Sequence, residues 1–288
     1  MDIAKSTALQ PPSVVRLAKL RAAQEARQHR EALPPTAQLP LWPELTRGTP
    51  NTWLRGALFA AIQGKERRAL KREPLATVNG IEIRFTGWQL DQSDLDVWDT
   101  IVHLSRLRAL GEQVEFTAHS ILRALGRGTG KSQHEWLKDA IARLYSAGVE
   151  ITAGRFTYFG ALLRGARDEA TGRYHVHLAR ELADMYLAGW TQINWKERAA
   201  LRRKPLALWL HGWFATHAQP YPLRLDTLQR LCGSRNQNAA GFKRLLCAAL
   251  TELEAISAID AWEVRGDVVH VTRIPSASQR KHLARRQK

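Results

Sequence analysis

Residues 132–146 read SQHEWLKDAIARLYS, and residues 241–255 read GFKRLLCAALTELEA. At one constant offset Trp136, Leu137, Ala140, Ile141 and Leu144 fall on Leu245, Leu246, Ala249, Leu250 and Leu253. A stripe at i, i+1, i+4, i+5, i+8 is what any amphipathic helix shows, so by itself it decides little. Its weight comes from the surrounding elements, which occur twice in one order.

In the first copy, Ser93-Asp94-Leu95-Asp96 offers an N-cap followed by acids, suiting a helix start. Leu95, Trp98, Ile101, Val102 and Leu104 keep helical spacing to about Arg108. A short strand at 114–116 leads to Thr117, a cap for a second helix that stops at Gly126. After a turn at 127–131, Ser132 and Glu135 form an S-x-x-E capping box for the third helix. Strands at 149–151, 156–163 and 173–178 come next, the last two separated by a turn at 168–172. In the second copy, Asn194 and Glu197 open one long helix carrying Leu206, Trp209, Leu210, Trp213 and Phe214. A strand at 223–225 precedes Asp226, the cap of a helix ending at Gly233. A turn at 234–238 leads to the third helix, which runs to about Glu254. Strands at 261–264 and 268–272 flank Arg265-Gly266-Asp267 as a hairpin.

A helix-turn-helix followed by a β-hairpin is the winged-helix plan, whose third helix enters the major groove. The sequence therefore predicts an α+β protein with two tandem winged-helix domains, at 73–189 and 190–274. A further hairpin over 76–85, turning at Asn79-Gly80, precedes the first copy. Residues 1–36 read as a mobile basic arm, 37–72 as a linker with a lead-in helix, and 275–288 as a basic tail.

Charge supports the same reading. Among 288 residues, 43 Lys and Arg stand against 27 Asp and Glu, a net charge of +16 that calls for a polyanionic partner. No apolar run approaches the ~18 residues of a membrane span, and the first residues lack a signal-peptide core. These features predict a cytoplasmic protein with no membrane contact. Cys232 and Cys247 are too few for a zinc site and sit among apolar neighbours.

The turn into the last helix crowds Arg235, Asn236, Gln237 and Asn238, with Lys243 and Arg244 one turn on. Arg reads guanine bidentately and Asn or Gln reads adenine, so this set suits major-groove readout. The alternative is an ordinary polar turn on a solvated face. Arg127, Lys131, Gln133, His134 and Lys138 occupy the equivalent surface of the first copy. Arg198, Arg202, Arg203 and Lys204 suit phosphates, as do Arg265 on the second wing and Arg155 or Arg173 on the first.

Several stretches carry a family resemblance: Gln38-Leu-Pro-Leu-Trp42, residues 50–59 (PNTWLRGALF), Trp195-Lys-Glu-Arg-Ala, residues 220–225 (PYPLRL) and Leu231-Cys-Gly233. Over roughly residues 38–274 the chain resembles the TrfA-type replication initiators of broad-host-range plasmids. The resemblance implies an initiator that binds direct repeats (iterons) in double-stranded origin DNA and melts the adjacent duplex, exposing single strands. It also implies recruitment of the host sliding clamp, replicative helicase and initiator DnaA, and a monomer–dimer equilibrium. Gln38, Leu39, Leu41 and Trp42 are similar to the Q-L-x-L-aromatic peptide by which replication proteins dock on the clamp. An exposed cluster of Leu39, Leu41 and Trp42 needs a partner or a packing site. The alternative is that Trp42 packs on the first domain.

Motifs for chemistry are weak. Gly128-Thr-Gly-Lys-Ser132 resembles a P-loop but has Leu125 where the first glycine belongs, and it comes after a helix. His175-Val-His177 is the His-hydrophobe-His arrangement of rolling-circle nickases, with Tyr186 the nearest candidate nucleophile. His134-Glu135 lacks the second histidine of a zincin. The expectation is a non-enzyme without metal or cofactor. A rolling-circle nickase and a winged-helix transcription repressor are the alternatives.

Overall fold

The computed structural model describes residues 38–286 except 65, 66, 79, 110, 111, 154, 155 and 237, and the chain from Gln38 onward forms one compact unit. The expected arm at 1–36 lies outside the described residues, as do the proposed DNA contacts Arg155 and Gln237.

The segment expected to be a linker instead builds core. It holds β1 (Thr46–Pro50), α1 (Asn51–Leu54), β2 (Phe59–Ala60) and the start of β3 (Ala69–Leu75), and it buries Trp53, Leu54, Leu58 and Phe59. β3 pairs with β4 (Ile81–Trp88), and the Ile81 amide donates to the Val78 carbonyl across the expected turn at 3.3 Å. β5 (Leu90–Asp91) pairs in parallel with β2.

α2 (Gln92–Ser105) starts slightly earlier than the sequence suggests. Its cap is Asp91, whose carboxylate accepts from the Ser93 and Asp94 amides, while Asp94 accepts from the Asp91 amide. A helix covered on nearly every face belongs in a core, and α2 buries Leu95, Val97, Trp98, Ile101 and Val102 together with Asp94, Asp99 and His103. These buried acids are partnered. Arg143 donates to Asp94 at 2.7 Å and Arg67 at 3.1 Å. Thr49 donates to Asp99 at 2.9 Å, and burial pushes the Asp99 carboxyl up to about 7.

β6 (Gln113–Thr117) leads to α3 (Ala118–Ala124), where Thr117 and Ser120 form the cap. α4 (Lys131–Ser146) starts after Gly130, so the expected Ser132 cap is replaced by a start without a side-chain cap. β7 (Gly148–Ala153) and β8 (Phe156–Ala161) extend the first hairpin into a four-stranded sheet of order β3-β4-β7-β8. The strand expected over 156–163 breaks where Leu162 and Leu163 turn into the core. The hairpin that returns to β6 is β9 (Arg164–Arg167) with β10 (Arg173–His177), giving a sheet of order β6-β10-β9. α5 (Leu182–Leu187) and β11 (Trp190–Asn194) come next, β11 pairing with β1.

The single long helix expected after Asn194 is two, α6 (Trp195–Ala200) and α7 (Pro205–Ala215). Pro205 occupies the first turn of α7, where its missing N–H costs nothing, and Arg203 makes the corner at φ +67°. β12 (Leu223–Arg224), α8 (Leu225–Leu231), α9 (Ala239–Ala255), β13 (Ala261–Arg265) and β14 (Val268–Thr272) complete the second copy, with sheet order β12-β14-β13. Asp226 lies inside the first turn of α8 rather than at its cap. The expected tail forms α10 (Ala277–Arg286). It is anchored where Gln279 donates to the Ala215 carbonyl at 2.9 Å and Arg273 to the His217 carbonyl at 2.9 Å.

Four of the five positions of each stripe behave alike, whereas Trp136 is half-buried and Leu245 is 51% exposed. Leu137, Ala140, Ile141 and Leu144 are buried on α4, and Leu246, Ala249, Leu250 and Leu253 on α9. Each helix thus fastens its apolar edge to its own half and leaves its start toward solvent.

Candidate nucleic-acid interface

Both helix pairs, α3 with α4 and α8 with α9, turn on a glycine. Gly126 ends α3 at φ +61° and Gly233 ends α8 at φ +64°, a conformation that side chains with a Cβ rarely adopt. Beyond the glycine the two turns diverge. In the first turn the Arg127 guanidinium lies 3.6 Å from the centre of the Trp136 ring and donates to Gln133 at 2.9 Å. Farther on, Lys131 and Lys138 are exposed, Lys138 forming an i,i+3 pair with Glu135 at 2.8 Å, and His134 is half-buried.

In the second turn the side chains proposed as base readers serve the loop. Asn238 is the cap of α9, its side-chain oxygen accepting from the Gly241 amide at 3.1 Å. The Asn236 side chain accepts from the Asn238 amide at 3.0 Å, and its carbonyl takes the Gln229 amide group. Arg235 is exposed and donates to Gln89 on the first half. Lys243 reaches the β13–β14 turn, donating to the Gly266 carbonyl at 3.2 Å. Asn238 thus has a capping role that the sequence reading did not give it. Arg244 is exposed on α9.

The basic run before α7 divides in two. Arg198, expected on phosphate, is 2% exposed and bonded to Asp96 at 2.5 Å, which removes it from any surface. Arg202 donates to the Leu125 and Gly126 carbonyls, both at 2.7 Å. Arg203 and Lys204 are exposed, Lys204 paired with Glu252 at 2.6 Å. The fold brings Arg203, Lys204, Arg235 and Asn236 to one cleft beside α9, and Arg127, Arg202 and Arg203 to the crevice between the halves. On the two hairpins, Arg265 is exposed on β13 and pairs with Glu263 at 2.7 Å, and Arg173 is exposed on β10. Sequence reasoning missed Arg164 and Arg167, both exposed on β9. Their signal was the R-x-x-R spacing, masked because the alternation over 156–163 leaves them between two expected strands.

The clamp-like peptide sits in the core. Leu39 is 3% and Trp42 5% exposed, against 65% for Leu41, which corrects the expected exposed cluster. Trp42 stacks on Tyr186 with ring centres 6.0 Å apart, and its Nε1–H donates to His103 Nδ1 at 3.0 Å. Burial lowers the His103 pKa, consistent with a neutral ring that accepts at Nδ1 and donates from Nε2 to Glu44 at 3.1 Å. Gln38 makes a single bridge to Ala109.

The nickase candidates are not assembled. Tyr186 is buried, its hydroxyl donates to the Gly48 carbonyl at 2.9 Å, and burial raises its pKa well above the usual phenol value. His175 meets Gln113 at 2.7 Å on β6. Among the described residues no group of three or more His, Cys, Asp or Glu is placed to hold a metal ion, and no helix is long and apolar enough to cross a membrane.

Comparison with known proteins identifies the family. Over 245 residues, 81% of this chain, the sequence is 26% identical to the plasmid replication initiator protein TrfA of Escherichia coli. The match covers 63% of that protein, so the chain spans less than two thirds of its relative's length. Two solved structures of domains 2 and 3 of RctB align with TM-scores of 0.49 and 0.48 at 14% and 13% identity. They cover 72% and 73% of this chain, and 85% and 92% of theirs. The model of the TrfA protein family matches residues 18–273, most of the chain, and the protein belongs to the TrfA family.

Proposed function

We propose that the protein initiates plasmid replication by binding direct repeats in double-stranded origin DNA through two winged-helix units, at 73–189 and 190–274. The observation that carries this reading is the duplicated topology. In each half a short strand precedes the helix-turn-helix, and the final hairpin strand returns to pair with that strand, as β6-β10-β9 and as β12-β14-β13. That arrangement supports reading each hairpin as a wing beside its third helix. The family membership and the charge of +16 support a DNA partner and a replication role. In this reading α4 and α9 are the reading helices, Lys131, Lys138 and Arg244 face the groove, and Arg203, Lys204, Arg173 and Arg265 meet phosphates. No catalytic step is part of it.

Opening of the adjacent duplex and recruitment of clamp, helicase and DnaA belong to the same reading. The clamp contact carries a condition, because Leu39 and Trp42 are buried. The peptide has to leave its seat on Tyr186 and His103 before its two anchors can enter a partner's groove. A monomer–dimer equilibrium is also part of the proposal.

The test supplies the protein in trans to an origin plasmid whose own initiator gene is deleted. Replication of that plasmid supports the reading. Tight binding to the repeats with no replication in permissive hosts assigns the protein to transcription repression instead.

A further inference from the structure

We infer that Trp195, Arg198 and Arg202 set the spacing at which the two reading helices meet DNA, so that the protein measures its site as well as reading it. The inference rests on the DNA-reading function proposed above. α6 comes after β11 and belongs by sequence to the second half, yet its Trp195 and Arg198 side chains engage the first. The Arg198 guanidinium donates to Asp96 at 2.5 Å and to the Gln92 side chain at 3.0 Å, both on α2, and also to the Leu208 carbonyl on α7 at 3.2 Å. One planar fork thus joins the central helix of one half to the first long helix of the other. A flexible ammonium does not reproduce that geometry.

The neighbours of Arg198 extend the joint to the reading helix itself. Trp195 Nε1–H donates to the Ala124 carbonyl at 3.2 Å, and Arg202 donates to the Leu125 and Gly126 carbonyls. The last carbonyls of a helix have no partner within it. The Ile121, Leu122 and Arg123 carbonyls of α3 accept from amides of the turn itself, whereas the Ala124 carbonyl and the two that follow it are capped by the second half, at the turn that feeds α4. The first reading helix is therefore positioned from the half that carries the other. Arg55 donating to the Thr216 carbonyl at 2.8 Å, and Trp209 to the Gly56 carbonyl at 3.0 Å, brace the joint from the far side.

Two readers on a flexible tether adapt to a site whose halves are moved apart, losing only effective concentration. Two readers on a rigid joint do not. Each inserted base pair adds about 3.4 Å and rotates the second half-site by roughly a tenth of a turn.

The experiment uses the full chain and duplexes from the DNA flanking its own gene, with the protected segments located by footprinting. Variant duplexes carry one to five base pairs inserted between the two protected segments. For wild type, inserting two or more base pairs should lower affinity about tenfold or more, comparable to losing one base-pair contact. For the Trp195→Phe, Arg202→Ala double variant the ratio of affinities for inserted and native duplex should move at least about threefold toward one, and Arg202→Lys should restore part of it. The readout is a ratio on one preparation, so a reduced folded fraction cancels. Equal insertion penalties in wild type and double variant overturn the inference, as does a wild type that tolerates every insertion. A wild type that binds scrambled duplex as tightly as native duplex instead removes the DNA-reading proposal beneath it.

Discussion

The turns at 125–130 and 233–238 start alike and are stabilised by different means. Each opens on a left-handed glycine, and in each the space above that glycine is filled from outside the unit. Over Gly126 lies the Arg202 guanidinium, 2.7 Å from where a Cβ would stand; over Gly233 lies the Ala60 methyl, at 2.8 Å. The first turn is thus held by charged and polar groups of the other half. The second is held by an apolar contact from β2 and by its own asparagines. A polar residue in such a turn is a structural device before it is a reader. In the proposed function, reading DNA falls to those side chains that neither turn engages.

The largest expected effect breaks the polar side of this comparison. Arg198→Ala leaves Asp96 opposite an empty space in a buried joint, and removing one member of a buried pair costs about 3–5 kcal/mol. Arg203→Ala, at an exposed corner, should stay within about 0.5 kcal/mol. Denaturant melts of the two variants measure the difference, and similar midpoints would return Arg198 to the surface. Trp42→Ala should cost a comparable amount, about 3–5 kcal/mol, whereas Leu41→Ala should leave the midpoint nearly unchanged.

The same comparison explains what the sequence could carry. Helical periodicity survived because Leu137, Ala140 and Leu144, and likewise Leu246, Leu250 and Leu253, bury against neighbours within their own half. The hairpin of the second copy was legible because Gly266-Asp267 is a tight turn between alternating strands, with Arg265 paired to Val268 at its base. The hairpin of the first copy was misread, since β8 alternates equally well yet pairs with β7, which pairs with β4, in a different sheet. Local pattern specifies a strand but not its partner. The site was less legible. Arg198 looked like Arg203 because its partner Asp96 lies about a hundred residues away. Asn238 looked like a reader because a cap and a base contact ask for the same chemistry. Trp42 looked exposed because Tyr186 and His103, which seat it together with Gly48, are remote in the chain.

Intermediate effects sharpen the second turn. Arg244→Ala should lower discrimination between native and scrambled duplex by about 1–3 kcal/mol if it reaches a base edge. Asn238→Ala should instead cost about 1 kcal/mol of stability through the lost cap and weaken both duplexes in equal proportion. Titrations of each variant on both duplexes separate the roles, and a selective loss from Asn238→Ala would reverse the assignment. For phosphate contacts such as Arg203 and Lys204, each loss to Ala should make the log K against log[salt] slope shallower by about 0.9.

The smallest effect comes from pH. Burial holds the folded His103 pKa below its ordinary value of 6.5, so the folded state resists protonation that the unfolded chain accepts. The stability this neutral ring supports is fully present above pH 6.5 and is lost as pH falls through the lowered pKa. A protonated Nδ1 no longer accepts from Trp42, so acidification should loosen the peptide's seat. His103→Gln should flatten this part of the pH–stability curve, measured as melting midpoints from about pH 8 to about pH 5. An unchanged curve would show that the seat does not depend on the neutral ring.

The central claim is that two helix-turn-helix units on one rigid body read a repeated DNA site. Its most direct test is a salt-resolved titration of the full chain on a footprinted repeat and on a scrambled duplex of equal length. The account predicts tighter binding to the repeat by at least about 10³, with affinity falling steeply as salt rises and the preference for the repeat reduced in Arg244→Ala. Equal affinity for the two duplexes at every salt concentration would contradict it.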